Sequence, residues 1–356
     1  MHDTLFPPDP LGWPAGFAVL VSLKVLGFLW HALCMHIWLI GLPLAAGLIR
    51  RGVPLGERIL RSMPFVLAFG INGGIVPLLF LQTLYGPFFF TTTILAAWFW
   101  LSVIPALLIA YSLVYLAVSG WRRVLTSLVA SGLLFAIGGV FASTMHHMAQ
   151  PDALVRTFLT TADAGAVAGT HFWVDAASIL RYALTIGMAC GTTAVWIAWL
   201  VSRSGETGFR EASAQWIWHL YGLGTIVYAL AGWLYRPYIR AYVPDVWMWL
   251  TGASVPLAFG VVVIWSRHPT RRWRMAMTIA HLLAVGMNGI SRQIVQTGKL
   301  AVWTDQWTVP VRYDWGGITL FLITLGIGIG IVYWIARKTI WARSATDASG
   351  VQPSGK

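Results

Sequence analysis

The 356-residue chain is 58% hydrophobic and only 10% charged, with a mean hydropathy of +0.71. A soluble domain carries about 25% charge, so this composition excludes a soluble globular enzyme and predicts a polytopic membrane protein. The formal charge of +12 does not point to nucleic acid, because the basic residues fall in short clusters between apolar runs and act as topology signals.

In chain order, residues 1–13 hold Asp3 and several prolines but no basic n-region. They predict an external N-terminal segment followed by a retained first helix, not a cleaved signal peptide. Apolar runs follow near 15–49, 64–86, 92–118, 124–148, 171–201, 214–235, 246–266, 275–297 and 316–336. Each is long enough to cross a hydrocarbon core about 30 Å thick, which takes roughly 20 helical residues. The predicted fold is therefore all-α: about nine transmembrane helices forming a single bundle over 14–343, with a disordered polar tail at 344–356.

The breaks between runs alternate in charge. Arg50, Arg51, Arg58 and Arg61 follow the first run, Arg122 and Arg123 the third, and Arg203 and Arg210 the fifth. Arg267, Arg271, Arg272 and Arg274 follow the seventh, and Arg337, Lys338, Arg343 and Lys356 the ninth. Only Arg156, Arg236, Arg240, Lys299 and Arg312 occupy the opposite breaks. The positive-inside rule puts the larger group in the cytoplasm, the N-terminus outside and the C-terminus inside, in a cell's inner membrane. The two longest external breaks, 150–170 and 299–315, are candidates for a lid or a docking surface. Cys34 and Cys190 lie in apolar runs and no C-x-x-C-H occurs, which argues against covalently attached haem and against a zinc cluster.

Histidines inside lipid are costly, and intramembrane ionisable groups default to functional roles. Setting aside His2 and His268, seven remain: His31, His36, His146, His147, His171, His219 and His281. Neutral imidazole is a good axial ligand for haem iron. The predicted topology gives an outer group (His31, His146, His147, His171), an inner pair (His219, His281), and His36 between them. His31 and His36 are five residues apart, about 140° around a helix, so they face different neighbours. A haem takes one ligand from each of two helices, so His31 with one of the outer group, or His219 with His281, are the candidate pairs. His281, Asn288 and Arg292 form a polar stripe on one helix face. Arg292 is the kind of group that pairs with a haem propionate, with Asn288 beside it. The competing reading is that interfacial histidines are solvated and the deeper ones bond across helices as structural glue.

From His36 the sequence HIWLIGLPLAAGL, the Gly-rich FGINGGIVPLLFLQ at 69–82, and QTGKLAVW at 296–303 resemble segments of subunit I of cytochrome bd-type quinol oxidases. The matching pieces are short and scattered over most of the chain. The resemblance implies haem b, with His36 in a ligand position, and the same nine-helix topology. The histidine pair of the first run is also similar to superfamily members that work with c-type cytochromes. Several family features are missing. Ile94–Leu116 contains no glutamate, Gln296 stands where the family has a ligating carboxylate, and Tyr182 falls near a ligand histidine. Only Arg236–Asp245 separates the sixth and seventh runs, where the family carries a large quinol-binding loop.

The expected function is a membrane-embedded b-type cytochrome subunit of a respiratory complex. It would pass electrons between quinol or an inner donor and an external c-type cytochrome-like partner, with haem b as cofactor and a quinone as a second candidate ligand. Its expected partners are other membrane subunits and the bilayer, not nucleic acid. A terminal oxidase subunit, and a cofactor-free transporter or scaffold using Asp175, Arg181, Asn72 and Gln82, are the alternatives.

Overall fold

The structure is a computed structural model describing residues 6–163, 165–202, 207–313 and scattered positions between 315 and 334, with backbone alone at 207–212. Among the described residues it is helical, with no strand longer than an isolated bridge. Among the described residues nine α-helices are bounded, in order α1 (Phe17–Arg50), α2 (Pro54–Leu95), α3 (Ala97–Ser119), α4 (Arg123–Met148), α5 (Pro151–Thr161), α6 (Ala176–Ser202), α7 (Thr207–Tyr235), α8 (Asp245–Arg267) and α9 (Arg271–Thr304). Seven of them, all but α5 and α9, are long and apolar enough to cross a membrane. The side chains left facing outward are large and apolar, among them Trp98, Leu101, Ile104 and Leu108 on α3. In water such a face would be a binding patch or an aggregation hazard; against hydrocarbon it is the ordinary surface.

Helix α9 matches the eighth predicted run in position but is more polar than the seven. Its buried residues include His281 and Gln293, so it hides polar side chains among its neighbours. The ninth predicted run, 316–336, and the tail at 344–356 fall largely outside the described residues.

Helix α2 is 42 residues long, about 63 Å at helical rise, far more than a bilayer core requires. It kinks at Tyr85 (φ −137°, ψ 33°). Pro87 follows two residues later; its ring has no N–H to donate and presses on the preceding turn, which bends helices. The helix then continues to Leu95, through the break expected after residue 86. A second difference lies at 150–170, expected to be a loop. Part of it is α5, started by Pro151 at its first position with Asp152 in its first turn, and anchored by the buried Leu154.

Helix α6 is buried along almost its whole length and packs against α1, α4, α7 and α9; α1 in turn packs against α2, α4, α6 and α9. Small residues make this close packing possible. A Cβ added at Gly187 would sit 2.7 Å from the Tyr228 amide nitrogen and 2.8 Å from the Gly224 carbonyl, so α6 and α7 touch backbone to backbone. On α2, a Cβ at Gly70, Gly73 or Gly74 would run into Trp38, Trp30 or His31. The Gly-rich pattern of 69–82 is thus the socket for the rings of α1.

The chain divides into two compact units, residues 1–10 with 17–309 and residues 11–16 with 310–356. In the second, Trp13 exchanges backbone hydrogen bonds with Pro310 (2.9 Å) and Arg312 (2.8 Å). Gly12 has φ +78°, and any Cβ there would be 2.2 Å from the Pro310 carbonyl oxygen, so the turn requires glycine. The site described next belongs wholly to the first unit.

Candidate functional site

At mid-length of the bundle a buried polar chain links four helices. Tyr221 Oη on α7 lies 2.9 Å from His281 Nδ1 on α9, and His281 Nε2 lies 2.8 Å from Thr192 Oγ1 on α6. The same Thr192 hydroxyl lies 2.9 Å from His36 Nδ1 on α1 and 3.1 Å from the Met188 carbonyl. A hydroxyl has one proton and two lone pairs, and a carbonyl only accepts. One assignment satisfies all four contacts: Thr192 donates to Met188, both histidines donate to Thr192, and Tyr221 donates to His281 Nδ1. Proton positions are assigned by this accounting.

Two consequences follow. His281 has both ring nitrogens engaged and no lone pair to offer. His36 is locked with its proton on Nδ1, so its Nε2, which makes no hydrogen bond among the described residues, carries a lone pair. That is the tautomer of metal-ligating histidines, whose other nitrogen donates to a protein acceptor. Thr193 clamps the same point by donating to the His36 carbonyl at 3.1 Å. Gly191 admits the rings: a Cβ there would be 3.0 Å from His281 and 3.3 Å from Tyr221.

The remaining histidines separate by environment. His31 donates from Nδ1 to the Gly70 carbonyl on α2 (2.7 Å) and meets Trp38 edge-on. His31 and His36 therefore address different helices, as their spacing requires. His147 donates from Nδ1 to the Ser143 carbonyl (2.9 Å) and stacks on Trp173, whose other neighbour is His171. His146 Nε2 lies 3.1 Å from Asp175 and 2.7 Å from the Gln150 amide. His219 is exposed, bonded to the Gln215 carbonyl of its own helix and stacked on Trp218. The expected inner pair is thus not formed: His219 points outward while His281 is sealed between Tyr221 and Thr192.

Asp175 caps α6. Its carboxylate accepts from the Ser178 amide (2.7 Å), and the Ser178 hydroxyl accepts from the Asp175 amide (3.0 Å), a reciprocal capping box. Burial pushes its pKa up, but the Ser178 amide and the facing His146 outweigh this and hold the carboxyl below its ordinary value.

Toward the end of the bundle marked by α5, the helices open around a cavity of about 400 Å³. Tyr228 and Asn288 form part of its lining. They stand seven residues, about 10 Å, beyond Tyr221 and His281 on the same helices, and Asn288 donates to Tyr228 Oη (3.1 Å). Arg181, Arg292, Lys299, Arg236 and His146 also line the cavity, whereas among the described residues no carboxylate does. Arg236 pairs with Asp245 at 3.2 Å. Among the described residues Arg181, Arg292 and Lys299 have no ion pair. Arg292 instead donates to Thr185 (2.9 Å) and lies over the Phe28 ring, and Arg181 reaches the Met145 carbonyl.

Lys24, buried on α1, donates to Gln296 at 2.5 Å and lies over Tyr85. Sequence reasoning passed over Lys24, although a lysine inside the first apolar run is itself a signal. It also passed over Thr192 and Tyr221, for which no signal exists: a threonine or tyrosine in an apolar helix is indistinguishable from packing until its neighbours are known. Arg292 and Asn288, singled out in the sequence, both line the cavity. No protein-family model matches this sequence, and a search of curated proteins finds no match.

Proposed function

We propose that this chain is a multi-pass, b-type cytochrome subunit of a respiratory complex in a cell's inner membrane. It spans the bilayer nine times, with the N-terminus outside and the sixteen clustered cations in the cytoplasm. Electrons pass through it between quinol or an inner donor and an external c-type cytochrome-like partner. The observation that carries the reading is His36. It is buried in the first spanning helix and tied at Nδ1 to Thr192, which leaves Nε2 with its lone pair.

The donor chemistry of His36, His31 and His147, each with its proton on Nδ1, suits iron, while the cavity beside Arg292 is lined by His146 and by neither His36 nor His31. His31 and His147 share the tautomer of His36, each giving its Nδ1 proton to a backbone carbonyl. His36 and His31, which face different helices, would each ligate iron of a separate ring. Arg292 would meet a propionate, and Asn288 would fix the edge of the cavity beside it. Bound haem supplies one-electron transfer. Thr192 and His281 are positioning residues: they fix the ring of His36 without touching the group it holds.

The test is a reduced-minus-oxidised spectrum of the purified protein with haem counted per polypeptide. A haem b spectrum is expected, with haem lowered in His36→Ala and unchanged in His219→Ala. A folded but colourless wild type would overturn the reading. Oxygen consumption with a quinol then distinguishes a terminal oxidase from a relay.

A cofactor-free transporter is the second reading, favoured by one observation: the cation-lined cavity among α4 and α6–α9. It predicts the colourless preparation.

A further inference from the structure

Three cations deep among apolar helices are an energetic problem. Arg181 falls inside the apolar helix α6, Arg292 lies within α9 and Lys299 on its last turns, all lining one cavity. Removing a charge from water is costly unless an opposite charge or a full set of hydrogen bonds replaces the hydration. Here the replacement is partial. Arg292 has one threonine hydroxyl and a phenylalanine face, and Arg181 has a carbonyl at 3.5 Å. Lys299 has the Tyr242 ring at 6.0 Å.

Among the described residues no carboxylate lines the cavity: Asp175, though within electrostatic reach of Lys299, is bonded to His146 and Ser178, and Asp245 to Arg236. Mutual repulsion among the three cations raises the cost further. An anion brought by a ligand resolves all of this at once.

The walls indicate what kind of molecule brings it. Trp233 on α7 and Trp249 on α8 line the cavity and are also 65% and 62% exposed on the outer surface of the bundle. The cavity therefore opens sideways between the end of α7 and the start of α8, onto an outer face that also exposes Leu230, Leu234, Val246 and Leu250. Indole rings at such a mouth suit a molecule with a lipid-soluble body and a polar end. Inside, Asn288 and Ser291 add neutral hydrogen-bonding groups next to the charges. At about 400 Å³ the space lies in the range of small-molecule pockets.

We propose that this cavity binds the acid headgroup, phosphate or carboxylate, of a lipid-soluble molecule that enters laterally between α7 and α8. Arg181, Arg292 and Lys299 grip the acid group, Asn288 orients it, and Trp233 and Trp249 flank the stem at the mouth. The site goes beyond the cytochrome reading and holds whether or not the chain carries iron. The acid has two sources: an anionic phospholipid headgroup or the propionate edge of haem.

The experiment uses the full chain, purified in detergent and reconstituted into phosphatidylcholine nanodiscs with or without phosphatidylglycerol. Bound lipid phosphorus, haem per polypeptide and melting temperature are measured for wild type, Arg292→Gln and Lys299→Gln. Removing one charge-assisted hydrogen bond of about 1.4 kcal/mol corresponds to about tenfold in retention.

If a phospholipid is the source, wild type keeps phosphatidylglycerol through detergent exchange and melts higher in its presence. Both variants then retain about tenfold less, with haem unaffected. If haem is the source, the variants lose haem while lipid phosphorus stays constant. If one variant fails to fold, the other and the wild-type melting shift carry the comparison. The proposal is overturned if wild type melts at the same temperature with and without phosphatidylglycerol and neither variant changes lipid or haem content. A colourless wild type that still binds phosphatidylglycerol removes the cytochrome reading and leaves this one standing.

Discussion

Replacing Thr192 by valine removes the hydroxyl that joins α1, α6 and α9 while nearly conserving side-chain shape. Two donors are then left without an acceptor, His36 Nδ1–H at 2.9 Å and His281 Nε2–H at 2.8 Å, both in buried rings. Each orphaned donor costs about 1–3 kcal/mol in a protein interior. In lipid the measured average per hydrogen bond is lower, about 0.6 kcal/mol, because the unfolded chain also finds partners there. Two orphans between these bounds, together with the missing hydrogen bond to the Met188 carbonyl, give an expected destabilisation of about 2–4 kcal/mol. Thr192→Ser is the control: it keeps the hydroxyl and removes one methyl, for about 1 kcal/mol. Unfolding of both variants by detergent titration, with a double-mutant cycle against His281→Ala, measures the difference. Coupling between positions 192 and 281 is expected above about 0.5 kcal/mol. A valine variant as stable as the serine variant, with no coupling, would refute the shared-acceptor assignment and with it the fixed tautomer of His36.

Further outcomes follow from other parts of the bundle. Gly187→Ala pushes a Cβ into the α7 backbone at 2.7–2.8 Å, where no side chain can yield, and is expected to cost about 1–3 kcal/mol in thermal unfolding. Glu57 joins Arg123 (2.7 Å) and Arg61 (3.4 Å) in half-exposed pairs; Glu57→Gln should cost less than about 1 kcal/mol in the same assay. The Asp175 carboxyl has a lowered pKa in the folded protein, so its contribution is complete above the unfolded value near 4 and declines as pH falls through the folded one. Melting temperature measured from pH 6 to pH 3 should therefore fall less in Asp175→Ala than in wild type, and that variant should start about 0.5–2 kcal/mol lower because the cap is gone.

Composition and run length alone determined that the chain is a bundle of long apolar helices, because a hydrocarbon layer about 30 Å thick imposes one length and one polarity on whatever crosses it. The start of α6 at its cap Asp175 was not read from the sequence, where the run was begun at 171. The run of α2 through residue 86 was not read either: an end was expected at 86, just before Pro87, whereas the helix persists by packing Phe88, Phe89 and Leu95 into the core. The polar stripe of α9 was readable as period; the partners of its members were not. Which histidine keeps a free lone pair depends on a threonine 156 positions from His36 and a tyrosine 60 from His281. The gathering of Arg181, Arg292 and Lys299 depends likewise on α6 and α9 lying side by side. One-dimensional spacing specifies the face a residue occupies. Only the folding of helices against one another decides what that face meets, and hydrogen-bond and charge accounting can be completed only then.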